Sequence, residues 1–214
     1  MADRTGQPVG SGGAPPAGRR DTRARMVVAA AELFRERGYD GTGCRDVVAR
    51  AHAARGAIYH HFPGGKTQIG VDAARWAGDR VAQRIEAACA DAAPVDAVRA
   101  VLDLAEQILI GGGGPAGCPV AAVALSAEDT DGTLRAVANN AFDRWRTAIA
   151  GCLTSDGVAA ARAARFAAMT VAAVEGAVVL CRAAGGIEPY RDVRDGILDH
   201  LDHLLGTVTP NAAP

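Results

Sequence analysis

Residues 54 to 69, ARGAIYHHFPGGKTQI, crowd Tyr59, His60, His61 and Phe62 against Arg55 and Lys66, the only lysine of the chain. The chemistry on offer there is a grip on an anion. Charge along the chain points the same way. Residues 1–66 hold 11 Lys/Arg against 6 Asp/Glu, and the remainder holds 12 against 18, although the whole is nearly neutral at −1. A basic N-terminal third joined to an acidic remainder suits a polyanion-binding head on a body that avoids the polyanion.

Other chemistries find less support. GGKT at 64–67 resembles the end of a phosphate-cradling G-x-x-x-x-G-K-[ST] loop, but the first glycine of that pattern would be His60. Di-iron bundles need Glu-x-x-His pairs, and no glutamate has a histidine three residues on. His200 and His203 lie one turn apart and can seed a metal site, yet they read better as cations at a helix C-terminus. The five cysteines (Cys44, Cys89, Cys118, Cys152, Cys181) are scattered, with no C-x-x-C pair, as reduced cytoplasmic thiols would be. Neither an enzyme nor a metal or other cofactor is expected.

The elements that must position the basic segment are helices. The apolar fraction is 49% with only 4% aromatic residues, carried by Ala, Val and Leu, a composition that favours helix over sheet. No run of about 18 uncharged apolar residues and no secretory h-region is present, so a membrane partner is not expected. The spacing predicts a helix from Asp21 to Arg37, a short one over Cys44–Ala51 and another over Arg55–His61, a helix-turn-helix pattern within residues 21–65. Longer helices follow over 66–89, 95–110, 132–153, 159–184 and 190–205, with a shorter one over 120–128 and a glycine-rich loop at 111–119. Residues 1–20 and 207–214 read as tails. The expected fold class is all-α, with a three-helix helix-turn-helix head (21–65) and a larger helical body (66–206).

Residues 22 to 69 resemble the DNA-binding domain of the TetR family of bacterial transcription regulators, through AAELFRERGYDGT, RDVVARA and GAIYHHFPGGKTQI. The YHHFPGGK form, with GCPVAAVALSAED at 117–129, looks most like the LmrA/YxaF branch. The resemblance implies a recognition helix in the major groove flanked by phosphate contacts. Arg55 then reaches a base edge or a phosphate, while Ala54, Gly56 and Ala57 keep the surface low. Tyr59 and His60 meet phosphate oxygens. Lys66 forms a second clamp at the start of the fourth helix, and Thr42 with Arg45 serves the far side of the groove. Two departures stand out. His52 occupies a turn position that the family gives to glycine, predicting a left-handed residue at a cost of about 1 kcal/mol or more. Ala54 removes the usual cap, worth about 0.5–2 kcal/mol.

The resemblance also implies a cytoplasmic homodimer, released from a palindromic operator by a small apolar or aromatic effector. Candidate effector walls are Leu102, Phe142, Trp145 and Met169, with Glu175 as polar anchor. The two C-terminal helices carry apolar groups on more than one face, so a partner subunit is expected against Phe166, Val174, Val178, Ile197, Leu201 and Leu204. The rival reading is a helical small-molecule carrier or adaptor that has lost DNA binding.

Overall fold

A computed structural model describes residues 17–90, 92–111 and 116–206, with side chains from residue 21. The expected tails, apart from the first residues of helix α1, and the middle of the 111–119 loop lie outside the described residues. Nine helices follow one another there: α1 Ala17–Arg37, α2 Cys44–Arg50, α3 Ala57–His61, α4 Gly65–Cys89, α5 Pro94–Ile110, α6 Pro119–Ala124, α7 Thr133–Thr154, α8 Ala160–Ala184 and α9 Glu188–Gly206.

Local chemistry sets their ends. Gly38 stops α1 at φ 80°, a value that only glycine adopts without strain. Gly43 precedes α2, and its N–H is answered by Asp46 Oδ2 at 2.8 Å. Pro94 and Pro119 open α5 and α6 at positions where the missing N–H costs nothing. Buried Asp129 caps α7 by accepting the N–H groups of Leu134 (3.0 Å) and Arg135 (2.9 Å). Gly185, left-handed at φ 68°, ends α8.

Three of the boundaries that differ from expectation have a visible cause. Helix α1 starts before Asp21, whose carboxylate pairs with Arg25 one turn on instead of capping. Helix α3 starts at Ala57, not Arg55, because Arg55 and Gly56 complete the turn. Helix α6 ends at Ala124, since residues 126–128 peel away to contact the α1–α2 region.

Helices α1–α3 form the head. Met26, Leu33, Phe34, Tyr39, Val47, Ile58 and Phe62 fill its centre. That core is not closed by the head alone: Ile69 and Ala73 of α4, Val123 of α6, and Leu134 and Val137 of α7 complete it. Burial of Ile69, Val123 or Leu134 is worth about 1.5–3 kcal/mol each, so head and body stabilise one another.

Helix α4 is the spine, packing on α1, α5, α6 and α7. Its glycines let neighbours approach. A Cβ on Gly78 would lie 2.7 Å from Ala141 Cβ, and one on Gly70 2.6 Å from the Tyr39 ring. Trp145 of α7 donates its Nε1–H to the Gly78 carbonyl at 2.9 Å. At the other side of the body, the Tyr190 hydroxyl donates to the Leu102 carbonyl at 2.6 Å, fixing α9 to α5.

Candidate nucleic-acid interface and effector cavity

The α2–turn–α3 unit is stiff inside and open outside. Val47, Val48 and Ile58 bury one side. In the turn, His52 adopts φ 49°, the one described non-glycine residue with positive φ, as its place in the motif predicts. The Ala53 N–H donates to the Val48 carbonyl (3.0 Å) and the Ala57 N–H to the Ala54 carbonyl (2.9 Å), so backbone groups do the work that a side-chain cap would share. Phe62 is fully buried, with the Arg23 guanidinium 5.2 Å above its ring.

Outward from this frame stand Arg45, Ala54, Arg55, Gly56, Tyr59 and His60, all exposed, while Ala57 is half-buried. Tyr59 is 78% exposed, extreme for a tyrosine in so small a unit. His60 lies edge-on to His61 at 5.2 Å. Gly56 has an ordinary φ of −78°, and a Cβ there would meet nothing of the chain. The fold therefore does not require that glycine.

Two expected contacts are turned inward instead. Thr42 is 2% exposed and its hydroxyl donates to the Gly38 carbonyl at 2.8 Å, closing the α1–α2 turn. Lys66 is engaged within the chain: its ammonium sits 2.9 Å from Glu128 Oε2, 3.4 Å from the Asp40 carbonyl and 4.6 Å from the Tyr39 ring centroid. Beside it, Asp40 accepts from the Ser126 hydroxyl (2.6 Å) and the Ala127 N–H (3.0 Å), bonds that hold its carboxyl below the usual 3.8. Residues 126–128 thus latch the head to the end of α6.

Ion pairing sharpens the charge of the outer side. Arg50 binds Glu36 through both guanidinium nitrogens (2.9 and 2.8 Å), which lowers the glutamate's pKa and raises the arginine's. Asp46 lies 4.0 Å from Arg37. With these head carboxylates occupied, Arg45 and Arg55 have no ion-pair partner among the described residues.

The body holds an apolar cavity of about 290 Å³ bounded by α1, α4, α5, α7, α8 and residues 116–120. Of the expected walls, Trp145 and Glu175 line it. The others do not. Leu102 is fully buried in the core, Phe142 packs edge-on against Trp145 at 5.2 Å, and Met169 is 38% exposed on the outer side of α8. Sequence reasoning missed Trp76, Ile85 and Val174 as lining groups, though Trp76 stands on the same helix stripe as Ala73 and Ala77. Burial pushes the Glu175 carboxyl up, opposed in part by its hydrogen bond to the Cys118 thiol. Next to Cys118, the Gly117 N–H donates to the Arg35 carbonyl (2.9 Å), where Arg182 of α8 also donates (3.0 Å).

The expected intersubunit residues are otherwise employed. Phe166, Val178, Ile197, Leu201 and Leu204 are all buried within the single chain, and Val174 lines the cavity. The apolar stripe of α9 is one stripe, and α8 and α5 already cover it. What α8 leaves bare is its opposite side: Met169, Val179 (64% exposed) and Leu180 (53%), with Ala172 and Gly176 between them. Helix α8 is long and apolar enough to cross a membrane by composition, at mean hydropathy 1.6, yet only 33% of that window is buried in the chain. As for the C-terminal histidines, His200 stacks on Phe166 at 5.8 Å and His203 Nδ1 lies 2.8 Å from the Asp199 carbonyl. No cluster of three metal-ligating side chains occurs among the described residues.

A helix-turn-helix head with exposed Arg45, Arg55 and Tyr59, on a cavity-bearing helical body, defines a DNA-binding transcription regulator. Residues 27–69 match the family described as bacterial regulatory proteins, tetR family, and residues 94–195 match the C-terminal domain of LmrA/YxaF-like transcriptional regulators. An uncharacterised helix-turn-helix regulator of Mycobacterium tuberculosis is 37% identical over 188 residues, covering 84% of this chain and 95% of the relative. LmrA of Bacillus subtilis is 28% identical over 85% of this chain and 97% of its own length. A TetR regulator from Chloroflexus aurantiacus, solved by crystallography, superposes with a TM-score of 0.70 at 29% identity over 86% of this chain and 96% of that one. The chain belongs to the TetR family of transcription regulators, in its LmrA/YxaF-like branch.

Proposed function

We propose that the protein is a cytoplasmic homodimeric repressor that leaves a palindromic operator when a small apolar or aromatic effector enters the body. Residues 21–65 read the DNA, and residues 66–206 bind effector and partner. The observation that carries this reading is the connection between cavity and head. Residues 117–120 form cavity wall, and α6 runs from there to the latch at Ser126, Ala127 and Glu128, which grips Asp40 and Lys66. A ligand that favours one placement of the wall therefore favours one placement of the head, the differential affinity a switch requires.

At the DNA, Arg55 and Arg45 supply free positive charge and Tyr59 a hydroxyl. Gly56, which the fold does not need, leaves room for the backbone to approach the duplex. Ala54 and Ala57 keep that surface low, and His60 adds a donor. Lys66 and Thr42 support this surface from behind. For the partner subunit, the bare side of α8 around Met169, Val179 and Leu180 is the apolar surface that calls for a cover, and a two-fold pairing of that helix supplies the symmetry of a palindromic site.

A fluorescence-anisotropy titration on the DNA flanking the protein's own gene tests the reading. Saturable binding as a dimer, reversed by a compound that binds the body, is expected. Failure to retain any flanking DNA at low salt would favour a carrier that has lost DNA binding.

A further inference from the structure

The polarity of the cavity narrows the kind of molecule that fits it. Most of its wall is aliphatic or indole, including Trp76, Ile85, Val101, Leu109, Trp145 and Val174. Three arginines also reach it, Arg35, Arg80 and Arg84, against two acids, Glu32 and Glu175. Glu32 is answered by Arg50 at 3.5 Å. Glu175 is held beside the Cys118 thiol, where burial favours its uncharged form.

Arg80 and Arg84 lie one turn apart on α4, both exposed. The acids nearest them in sequence, Asp79 and Glu86, are both taken by Arg144 of α7, with the Glu86 contact at 3.3 Å. Arg80 lies with its guanidinium 5.0 Å above the Trp76 ring, and neither arginine has an ion-pair partner among the described residues. Two guanidinium groups without an ion-pair partner thus stand one helical turn apart at the edge of an apolar cavity, and guanidinium is the side-chain group best matched to a carboxylate. Deeper in the structure, Thr170 is 1% exposed, lines the same cavity, and its hydroxyl has no hydrogen-bond partner. A buried hydroxyl without a partner is destabilising, and a ligand's polar atom would satisfy it.

We propose that the effector is an amphiphilic monocarboxylate, its anionic end held by Arg80 and Arg84, its apolar body lying between Trp76 and Trp145, and a polar substituent meeting Thr170. This rests on the reading of the body as a sensor. It also explains how the effector acts, because the anion is gripped by α4, the helix that starts directly behind the recognition helix.

The test uses the full chain and calorimetric titration with two matched pairs: 2-naphthoate against 2-naphthamide, and decanoate against decanamide. At least one acid should bind tenfold or more tighter than its amide, and the two pairs separate an aryl from an acyl body. Arg80→Gln combined with Arg84→Gln should reduce that preference to about unity. A hydroxyl on the naphthalene ring should add affinity that Thr170→Val removes. Equal affinity for acid and amide in both pairs would overturn the proposal without any variant, as would a preference that survives the double substitution. Release of operator DNA is measured separately in the same titrations. An acid that binds with the expected preference but leaves DNA bound supports the ligand class and refutes the sensor.

Discussion

Side chains that look outward and those that look inward have been sorted here by partners the sequence does not display. Arg55 and Tyr59 keep the exposure that a DNA contact needs. Arg55→Ala should weaken operator binding and flatten base preference, whereas Tyr59→Ala should weaken all sequences alike, as competition titrations with scrambled DNA would reveal. Thr42 and Lys66 were not legible in this way. The Thr42 acceptor is a backbone carbonyl, and Lys66 meets an acid 62 positions away. His52 was legible, because the family resemblance places it where a glycine is usual, and it does adopt positive φ. His52→Gly relieves that strain, about 1–2 kcal/mol, against a gain in unfolded-chain entropy of about 0.4–1 kcal/mol. The variant should melt a few degrees higher, and an unchanged or lower midpoint would show that the imidazole contributes more than its backbone costs. Asp40 gives a pH prediction. Its folded pKa is depressed, first by the Ser126 hydroxyl and then by the Ala127 N–H. The latch is therefore complete above the ordinary 3.8 and loosens only as pH falls through the lower folded value. The Ala127 amide resonance should titrate with its midpoint below 3.8, and a midpoint at higher pH would contradict the assignment.

Among the elements, periodicity located every helix in the described residues to within a few positions, since a 3.6-residue stripe survives small errors of boundary. It did not reveal which stripe faces what. Helix α8 is apolar around its circumference, so the same pattern fits a cavity, a core and a bare surface at once. The crossing of α4 and α7 is sensitive to substitution. Gly78→Ala places a methyl 2.7 Å from Ala141 Cβ and displaces the carbonyl that Trp145 holds. Overpacking of this kind costs about 1–3 kcal/mol, partly offset by the better helix propensity of alanine, about 1 kcal/mol. A net loss of stability with shifted tryptophan fluorescence is expected. A more stable variant with unaltered emission would mean that the helices part easily. The latch is a weaker device. Lys66 and Glu128 are partly solvated, so a double-mutant cycle should return less than about 1 kcal/mol of coupling in stability. Its larger effect is expected on effector response, with Glu128→Gln binding effector normally but releasing DNA at higher effector concentration.

For the whole molecule, the basic head and acidic body seen in the charge counts become a head whose acids are internally paired and whose Arg45 and Arg55 stay open. Two subunits offer roughly four arginine–phosphate contacts, for a log–log salt slope of about −3.6. Arg45→Ala should lower its magnitude by about 1.8, and a slope near zero in the wild type would exclude the proposed surface. Dimer formation separates two kinds of leucine. Leu201→Asp buries a charge in the subunit core and should unfold the chain, while Leu180→Asp should leave a folded monomer by light scattering and circular dichroism. A dimer surviving Leu180→Asp would move the interface off α8. The bare side of α8 escaped sequence reading because an unpartnered stripe differs from a buried one only in what lies across from it. Helix α8 has a second attachment, in its last turn. Arg182 there donates to the carbonyls of Arg35 (3.0 Å) and Glu36 (3.2 Å), the last turn of α1. If α8 forms the two-fold contact, the same helix that meets the symmetry axis is tied directly to each reading head. The gap between operator half-sites is then inherited with the body and the letters of each half-site with the head. A head grafted from a relative onto this body should read the relative's half-sites at this protein's spacing.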